Sequence, residues 1–192
     1  MCIRDSSGYS VYYCGYNGLY ATQKVFVLKG VKYIAVTLEN PFRRKRVIDL
    51  MYFAELVMGD FYRECAAGIK CGGDDTGIYA VNEGMKLYLT CSEPARSTAF
   101  FAESYRDGTG KVRVCTDFYN DGMTPALAYS CRITVEPKGT STVVFALSEE
   151  YTNVSVSEVL ALFDKTVSDF RPKADIECDG IMGCYVKRLF YQ

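Results

Sequence analysis

The chain has 192 residues, 49% of them hydrophobic and 23% charged, with a formal net charge of −1. That length supports one domain with a sizeable core, and the near-zero charge gives no electrostatic case for nucleic acid or an anionic membrane. The sequence contains no histidine, which excludes Ser-His-Asp and Cys-His catalysis, histidine-ligated zinc and the usual general base near neutral pH. No apolar run reaches the ~18–20 residues of a membrane-spanning helix. The nine cysteines are Cys2, Cys14, Cys65, Cys71, Cys91, Cys115, Cys131, Cys178 and Cys184. Their number is odd, no C-x-x-C occurs and no signal peptide is visible. These features read as reduced thiols of a cytoplasmic protein, many packed as small hydrophobes, with no metal site and no cofactor.

Met1-Cys2-Ile3-Arg4-Asp5, with Ser6, looks like the translation of a transposon-end adapter used in preparing DNA libraries. It is set aside as a scar on that ground. The natural N-terminus is then expected upstream, and Cys2 is an artefact. Tyr9–Tyr13 is strand-like. Asn17-Gly18 is the strongest short hairpin signal, and Leu19–Leu28 alternates as the return strand. Lys29-Gly30 makes the next turn, so 9–38 reads as a three-strand meander.

The stretch that organises the rest is Val31–Asp60. In Lys32–Glu39, period-two alternation lets Ile34, Val36 and Leu38 share a buried face. Asn40-Pro41 ends this strand, and Arg43–Arg46 keeps the turn in water. Val47–Met58 is apolar at almost every position and reads as a strand covered on both faces, with a helix as the alternative for a run this long. Farther on, Asp74 and Asp75 look like a carboxylate pair. Neighbours point to opposite sides of an extended chain, whereas working pairs lie ~5–9.5 Å apart across a sugar, so an acidic hairpin turn closed by Gly77 is the simpler reading. Asp107–Gly110 is a Gly-rich turn without the lysine–hydroxyl pair of a phosphate loop. Lys86–Thr90, Thr98–Ala102, Ala126–Val135 and Ser141–Leu147 are strand-like, and Val112–Tyr119 is a strand or irregular. Val156–Asp169 is a helix: Ser155-x-x-Glu158 is a capping box, and Val156, Val159, Leu160, Phe163, Val167 and Phe170 form an apolar stripe. Asp164 and Asp169 lie off the stripe as solvated charges. Pro172 ends the helix, and Gly180–Gln192 begins a second one.

Leu38, Asn40, Tyr52, Phe53, Glu55 and Gly59 carry a resemblance in order and spacing. It is to the β-sandwich domain of glycoside hydrolase family 94, the cellobiose and chitobiose phosphorylases and the phosphorylase part of cyclic glucan synthases. Gly8-Tyr9-Ser10 resembles the family's strand-opening "GYT", and Thr98–Ser104 (TAFFAES) resembles "VAFLAxS". Departures are the missing "PH" before Asp74, Ser148 where the family has Gly, and Arg188 where a Trp precedes "LxYQ".

The resemblance implies a mainly β fold: an antiparallel super-sandwich, incomplete, of about ten strands, over residues 7–150. Residues 151–192 would be linker helices leading to an absent (α/α)6 catalytic barrel. It implies an inverting phosphorylase as parent, with carbohydrate and inorganic phosphate as its partners and a homodimer as its assembly. The catalytic acid and phosphate site would belong to the barrel, so no catalytic residue transfers here. The fragment's expected roles are dimerisation and framing of the active-site entrance. Tyr9, Tyr12, Tyr13, Tyr16 and Tyr20 are the candidate sugar-stacking residues, against the plainer reading that tyrosines pack on a pleated sheet. Arg43–Arg46 could meet phosphate or a partner, but reads more simply as a solvated turn. A free-standing carbohydrate-binding module and a protein-interaction sandwich are the alternatives.

Overall fold

The computed structural model describes residues 2–6, 8–56, 58, 69–74, 77–103, 114–115 and 123–169. For 2–6, 74, 101–103, 114–115 and 123–124 only the backbone is described. Twelve strands run β1 (Cys2–Ser6), β2 (Tyr9–Tyr16), β3 (Leu19–Leu28), β4 (Val31–Glu39), β5 (Arg46–Glu55), β6 (Lys70–Asp74), β7 (Gly77–Asn82), β8 (Met85–Cys91), β9 (Ser97–Glu103), β10 (Val114–Cys115), β11 (Met123–Val135) and β12 (Thr140–Ser148). Among the described residues one helix follows, α1 (Val156–Asp169). The fold is mainly β, with antiparallel sheets and a C-terminal helix, as the sequence implies.

The strands form an eight-stranded sheet in the order β1-β2-β3-β4-β12-β8-β7-β6 and a four-stranded sheet in the order β10-β9-β11-β5. The meander β2-β3-β4 stands where the turn chemistry puts it. Asn17 and Gly18 both have positive φ (49° and 69°), as do Lys29 and Gly30 (49° and 78°). Two left-handed residues in a two-residue loop match the right-handed twist of the flanking strands. Gly18 has a second reason to be glycine: a Cβ there would sit 2.1 Å from the Phe42 ring. Residues 2–6 pair with β2 from Cys2↔Tyr13 to Ser6↔Tyr9. An extended peptide of almost any sequence can join an open sheet edge through backbone groups alone. The pairing therefore places these residues without bearing on the origin of their codons.

Two cores lie on opposite faces of the large sheet. On the inner face, Ile34, Leu38, Leu89, Ile78, Val143 and Phe145 meet Leu127, Tyr129, Cys131, Ile133 and Val135 of β11. On the outer face, Val11, Phe26, Tyr33, Ala35, Val144 and Ala146 are covered by Val159 and Phe163 of α1. β4 is consequently buried on both faces at its centre, where the sequence assigns a buried face to Ile34, Val36 and Leu38 alone. The helix has the bounds read from its period; of its buried residues Val159, Phe163 and Thr166, the first two lie on the expected stripe. The Ser155 hydroxyl lies 3.2 Å from the Ser157 hydroxyl, not on the amide that a capping box would assign it. Phe170, Pro172 and Gly180–Gln192 lie outside the described residues, as do Asp107–Gly110.

β5 corrects one expectation. Ile48, Leu50 and Tyr52 pack on the core, but Val47 and Met51 are 58% and 42% exposed. The strand is an edge of the small sheet and is covered on one face only. It also ends at Glu55 rather than Met58. A nearly continuous apolar run is ordinarily the mark of double coverage, and here it is the mark of an uncovered face.

Candidate functional site

The pleat divides the five flagged tyrosines between two faces. Tyr9, Tyr13 and, through the pair Gly15↔Tyr20, Tyr20 share the outer face of the large sheet; Tyr12 and Tyr16 point to the other. Tyr9 is packed edge-on against Phe163, with ring centres 5.5 Å apart. Tyr13 and Tyr20 are exposed, and the Tyr20 ring lies across Gly15, where a Cβ would come within 3.1 Å of it. Tyr16 is the most exposed of the five, at 80%. The structure therefore brings Tyr13 and Tyr20 together, gives Tyr9 to the helix interface and separates Tyr12 and Tyr16 from the rest.

The charged turn is organised by Asn40, which is fully buried. Its amide donates to the carbonyls of Arg44 at 2.7 Å, Val135 at 3.3 Å and Glu136 at 3.2 Å. Its side-chain oxygen accepts from the Phe42 N–H at 3.3 Å, and its own N–H donates to the Gly139 carbonyl. Asn40 thus ties the β4–β5 turn to the β11–β12 turn. Around it, Arg46 donates to the Asn17 carbonyl at 3.0 Å and lies over the Phe42 ring, and Lys45 pairs with Glu136 at 3.4 Å. Two of the four basic residues have local partners, which fits a structural turn.

A second charged cluster lies on the exposed face of the small sheet. Asp49 accepts from Arg132, directly opposite on β11, at 2.8 and 3.1 Å, and also from Arg96. The Arg132 and Arg96 guanidiniums hold the Asp49 carboxyl below its ordinary 3.8, at about 2. A carboxylate so held is a poor general acid. Asp74 closes β6 opposite Gly77, in agreement with the hairpin-turn reading, and Asp75 lies outside the described residues.

Among the described residues the core thiols are Cys71, Cys91 and Cys131; Cys131 is fully buried, and its hydrogen bond with Cys91 lowers its pKa. Burial pushes Cys71 up to about 11, and Cys91 is raised by its hydrogen bond with Cys131 and by burial. Cys14 is exposed. Among the described residues no group of three or more His, Cys, Asp or Glu is placed to hold a metal ion. No described helix is long and apolar enough to cross a membrane.

One cleft was not legible from the sequence. It has a volume of about 430 Å³ and lies between the Lys29-Gly30 turn with Val31 and the segment 148–152 that leaves β12. Beside it runs a row of three rings. Tyr79 and Tyr88 lie 5.9 Å apart, and Tyr88 meets Tyr151 edge to face at 6.2 Å and 89°. The Lys86 ammonium sits over Tyr88 at 4.3 Å and over Tyr79 at 4.8 Å. The strand pattern of β8 gives the face of Tyr88. The juxtaposition also needs the register Tyr79↔Tyr88 and the path of residues 149–152, neither of which is a local property.

A two-sheet antiparallel sandwich with a helix laid over its larger sheet is the class that this geometry defines. Residues 2–67 match the family model described as glycosyl hydrolase 94, supersandwich domain. The match covers about a third of the chain and includes the residues from Leu38 to Gly59 that carry the resemblance. No curated protein matches the chain. Among solved structures, the Slr1438 protein from Synechocystis sp. PCC 6803 is similar at 10% identity and a TM-score of 0.51, over 77% of this chain and 65% of that one. A putative kojibiose phosphorylase from human microbiome aligns at 8% identity and a TM-score of 0.45, over 84% of this chain and 20% of that one. A heparinase III, the BT4657 gene product, aligns at 13% identity and a TM-score of 0.41, over 73% and 19%. The chain thus spans about two thirds of the Slr1438 protein and about a fifth of the other two. The likeness to Slr1438 is one of fold.

Proposed function

We propose that this chain is an accessory, non-catalytic β-sandwich of a carbohydrate-active enzyme, and that the enzyme is an inverting glycoside phosphorylase of the cytoplasm. The supersandwich match over residues 2–67 carries this reading. In such a parent a carboxylic acid protonates the leaving glycosidic oxygen while phosphate attacks the opposite face of the sugar, the logic of inverting hydrolysis with phosphate in place of water. The sandwich frames the entrance to that site and contributes to a homodimer interface. The strongly depressed Asp49 and the turn-closing Asp74 fit a chain whose carboxylates are used for structure.

The test is phosphorolysis. The chain, incubated with inorganic phosphate and either cellobiose or chitobiose, is expected to release no sugar 1-phosphate. Its appearance would overturn the accessory role. Reading the gene past codon 192 is expected to show a helical barrel carrying an aspartic acid suited to protonate the leaving oxygen. A different following domain would remove the phosphorylase assignment while leaving the sandwich fold intact.

A further inference from the structure

We propose that the cleft between the Lys29-Gly30 turn and residues 148–152 is a binding site for an uncharged mono- or disaccharide, with Tyr151 as its stacking platform. The proposal rests on the carbohydrate reading above and deepens it by naming where the sugar binds. Four observations carry it.

The first is size. A cleft of about 430 Å³ falls within the ~300–1,000 Å³ of small-molecule sites. The second is the platform. Tyr151 is 49% exposed, so its ring has surface left for a ligand, yet it is not free to swing. It is braced edge to face on Tyr88, which is in turn held by Tyr79 and by the Lys86 ammonium. An aromatic side chain held in advance offers a large apolar contact at little entropic cost.

The third observation is the floor of the cleft, which is fastened by hydrogen bonds rather than left as a loose loop. The Thr90 hydroxyl donates to the Thr152 carbonyl at 2.8 Å, and the Ser148 hydroxyl donates to the Glu150 carbonyl at 2.5 Å. The Ser148 and Thr152 hydroxyls also meet at 3.1 Å. The fourth is the chemistry of the rim. Glu149 and Glu150 bring acceptors, and Lys29 brings donors. A sugar hydroxyl both donates and accepts, so a polyol can satisfy both signs at once. Two carboxylates against one ammonium disfavour a phosphate ester or any other anion.

None of these residues belongs to the Tyr9–Tyr20 group, and Tyr16 points to the opposite face of the sheet. That separation supplies the control. The experiment is isothermal titration of the intact chain with cellobiose and, separately, with chitobiose. Variants Tyr151→Ala, the double change Glu149→Gln with Glu150→Gln, Tyr16→Ala and the double change Tyr13→Ala with Tyr20→Ala are titrated in parallel, with far-UV circular dichroism confirming that each is folded. Saturable binding of at least one sugar is expected. Tyr151→Ala should weaken it tenfold or more, the Glu149 and Glu150 change several-fold, and Tyr16→Ala not at all.

Absence of saturable binding by either sugar overturns the cleft. So does binding that survives both Tyr151→Ala and the Glu149 and Glu150 change. Loss of binding only in the Tyr13 and Tyr20 variant overturns it too, and would move the sugar to those exposed tyrosines. The accessory reading is judged separately by sugar 1-phosphate release, which none of these outcomes decides.

Discussion

At the scale of single residues, Asn40 and Asp49 show two different uses of a polar side chain. Asn40 is buried and gives one amide to three carbonyl oxygens in two turns. Removing it would strand those acceptors and cut the link between the β4–β5 and β11–β12 turns. A stranded buried polar group costs about 1–3 kcal/mol. Asn40→Ala is therefore expected to lower stability by about 2–4 kcal/mol, read as a fall in urea midpoint. Asn40→Asp, of the same shape, is expected to be at least as damaging because it sets a carboxylate against carbonyl oxygens. A change of Asn40→Ala within experimental error would show that the turns hold together without it. Asp49 lies at the surface, and its effect is one of pH. Its folded pKa is depressed to about 2 by Arg132 and Arg96, below the ~3.9 of an unfolded chain. A depressed carboxylate contributes stability that is present above the unfolded value and is lost as pH falls through the folded one. The advantage of the native chain over Asp49→Asn should therefore be full at about pH 5, shrink as pH falls toward about 2 and be gone only below that. Added salt should shrink it, since the cluster is exposed. Urea midpoints of both proteins across that range measure it; a gap that does not change with pH would refute the assignment.

At the scale of elements, what was legible followed from local period and turn chemistry. The helix α1, the meander β2-β3-β4 and the Asn17-Gly18 turn are each written within about ten to thirty residues of sequence. Leu38 and Asn40 were singled out by the family resemblance, and the structure gives the physical reason for Asn40. Other features depend on partners far along the chain. β5 pairs with β11 from Arg46↔Val135 to Glu55↔Ala126, and no local pattern announces that its other edge has no neighbour among the described residues. The turn between Asp74 and Gly77 was legible, but its strands β6 and β7 were not, because Gly72, Gly73 and Gly77 dilute the alternation. The Tyr79–Tyr88–Tyr151 row combines two strands and a connecting segment. The helix gives the third prediction. Phe163 is 5% exposed and meets Tyr9 and Phe26 edge-on, each at 5.5 Å, with the Lys24 ammonium over its face. Phe163→Ala should cost about 3–5 kcal/mol, whereas Asp164→Ala, on the exposed side, should stay within about 0.5 kcal/mol. Chemical denaturation followed by far-UV circular dichroism separates the two; equal effects would mean that α1 is not docked through this stripe.

At the scale of the whole molecule, eight strands face four, and the mismatch decides where the molecule is vulnerable. α1 protects the outer face of the large sheet at its centre, and the small sheet protects the inner one. β5 has neither protection on its exposed side. It is the terminal strand of the small sheet, its outward residues include Val47 at 58% and Met51 at 42% exposure, and Phe42 is half exposed in the adjoining turn. An apolar edge strand with unpaired backbone groups is a template for strand addition by another chain. The Asp49–Arg132–Arg96 cluster interrupts the patch with charge, yet Asp49 offsets one of the two guanidiniums, and the single remaining positive charge repels an incoming strand weakly. Placing single-sign charge on either side should blunt the edge at little cost to folding, because neither Val47 nor Met51 contributes to the core. The double change Val47→Lys with Met51→Lys is expected to leave the urea midpoint within about 1 kcal/mol of native stability and to suppress concentration-dependent light scattering. Lysines placed instead at Thr140 and Glu39, exposed on the large sheet, should leave scattering unchanged. Scattering that persists in the β5 variant would move the self-associating surface elsewhere. Suppression by the β5 variant alone would identify this strand as the face through which copies of the chain meet.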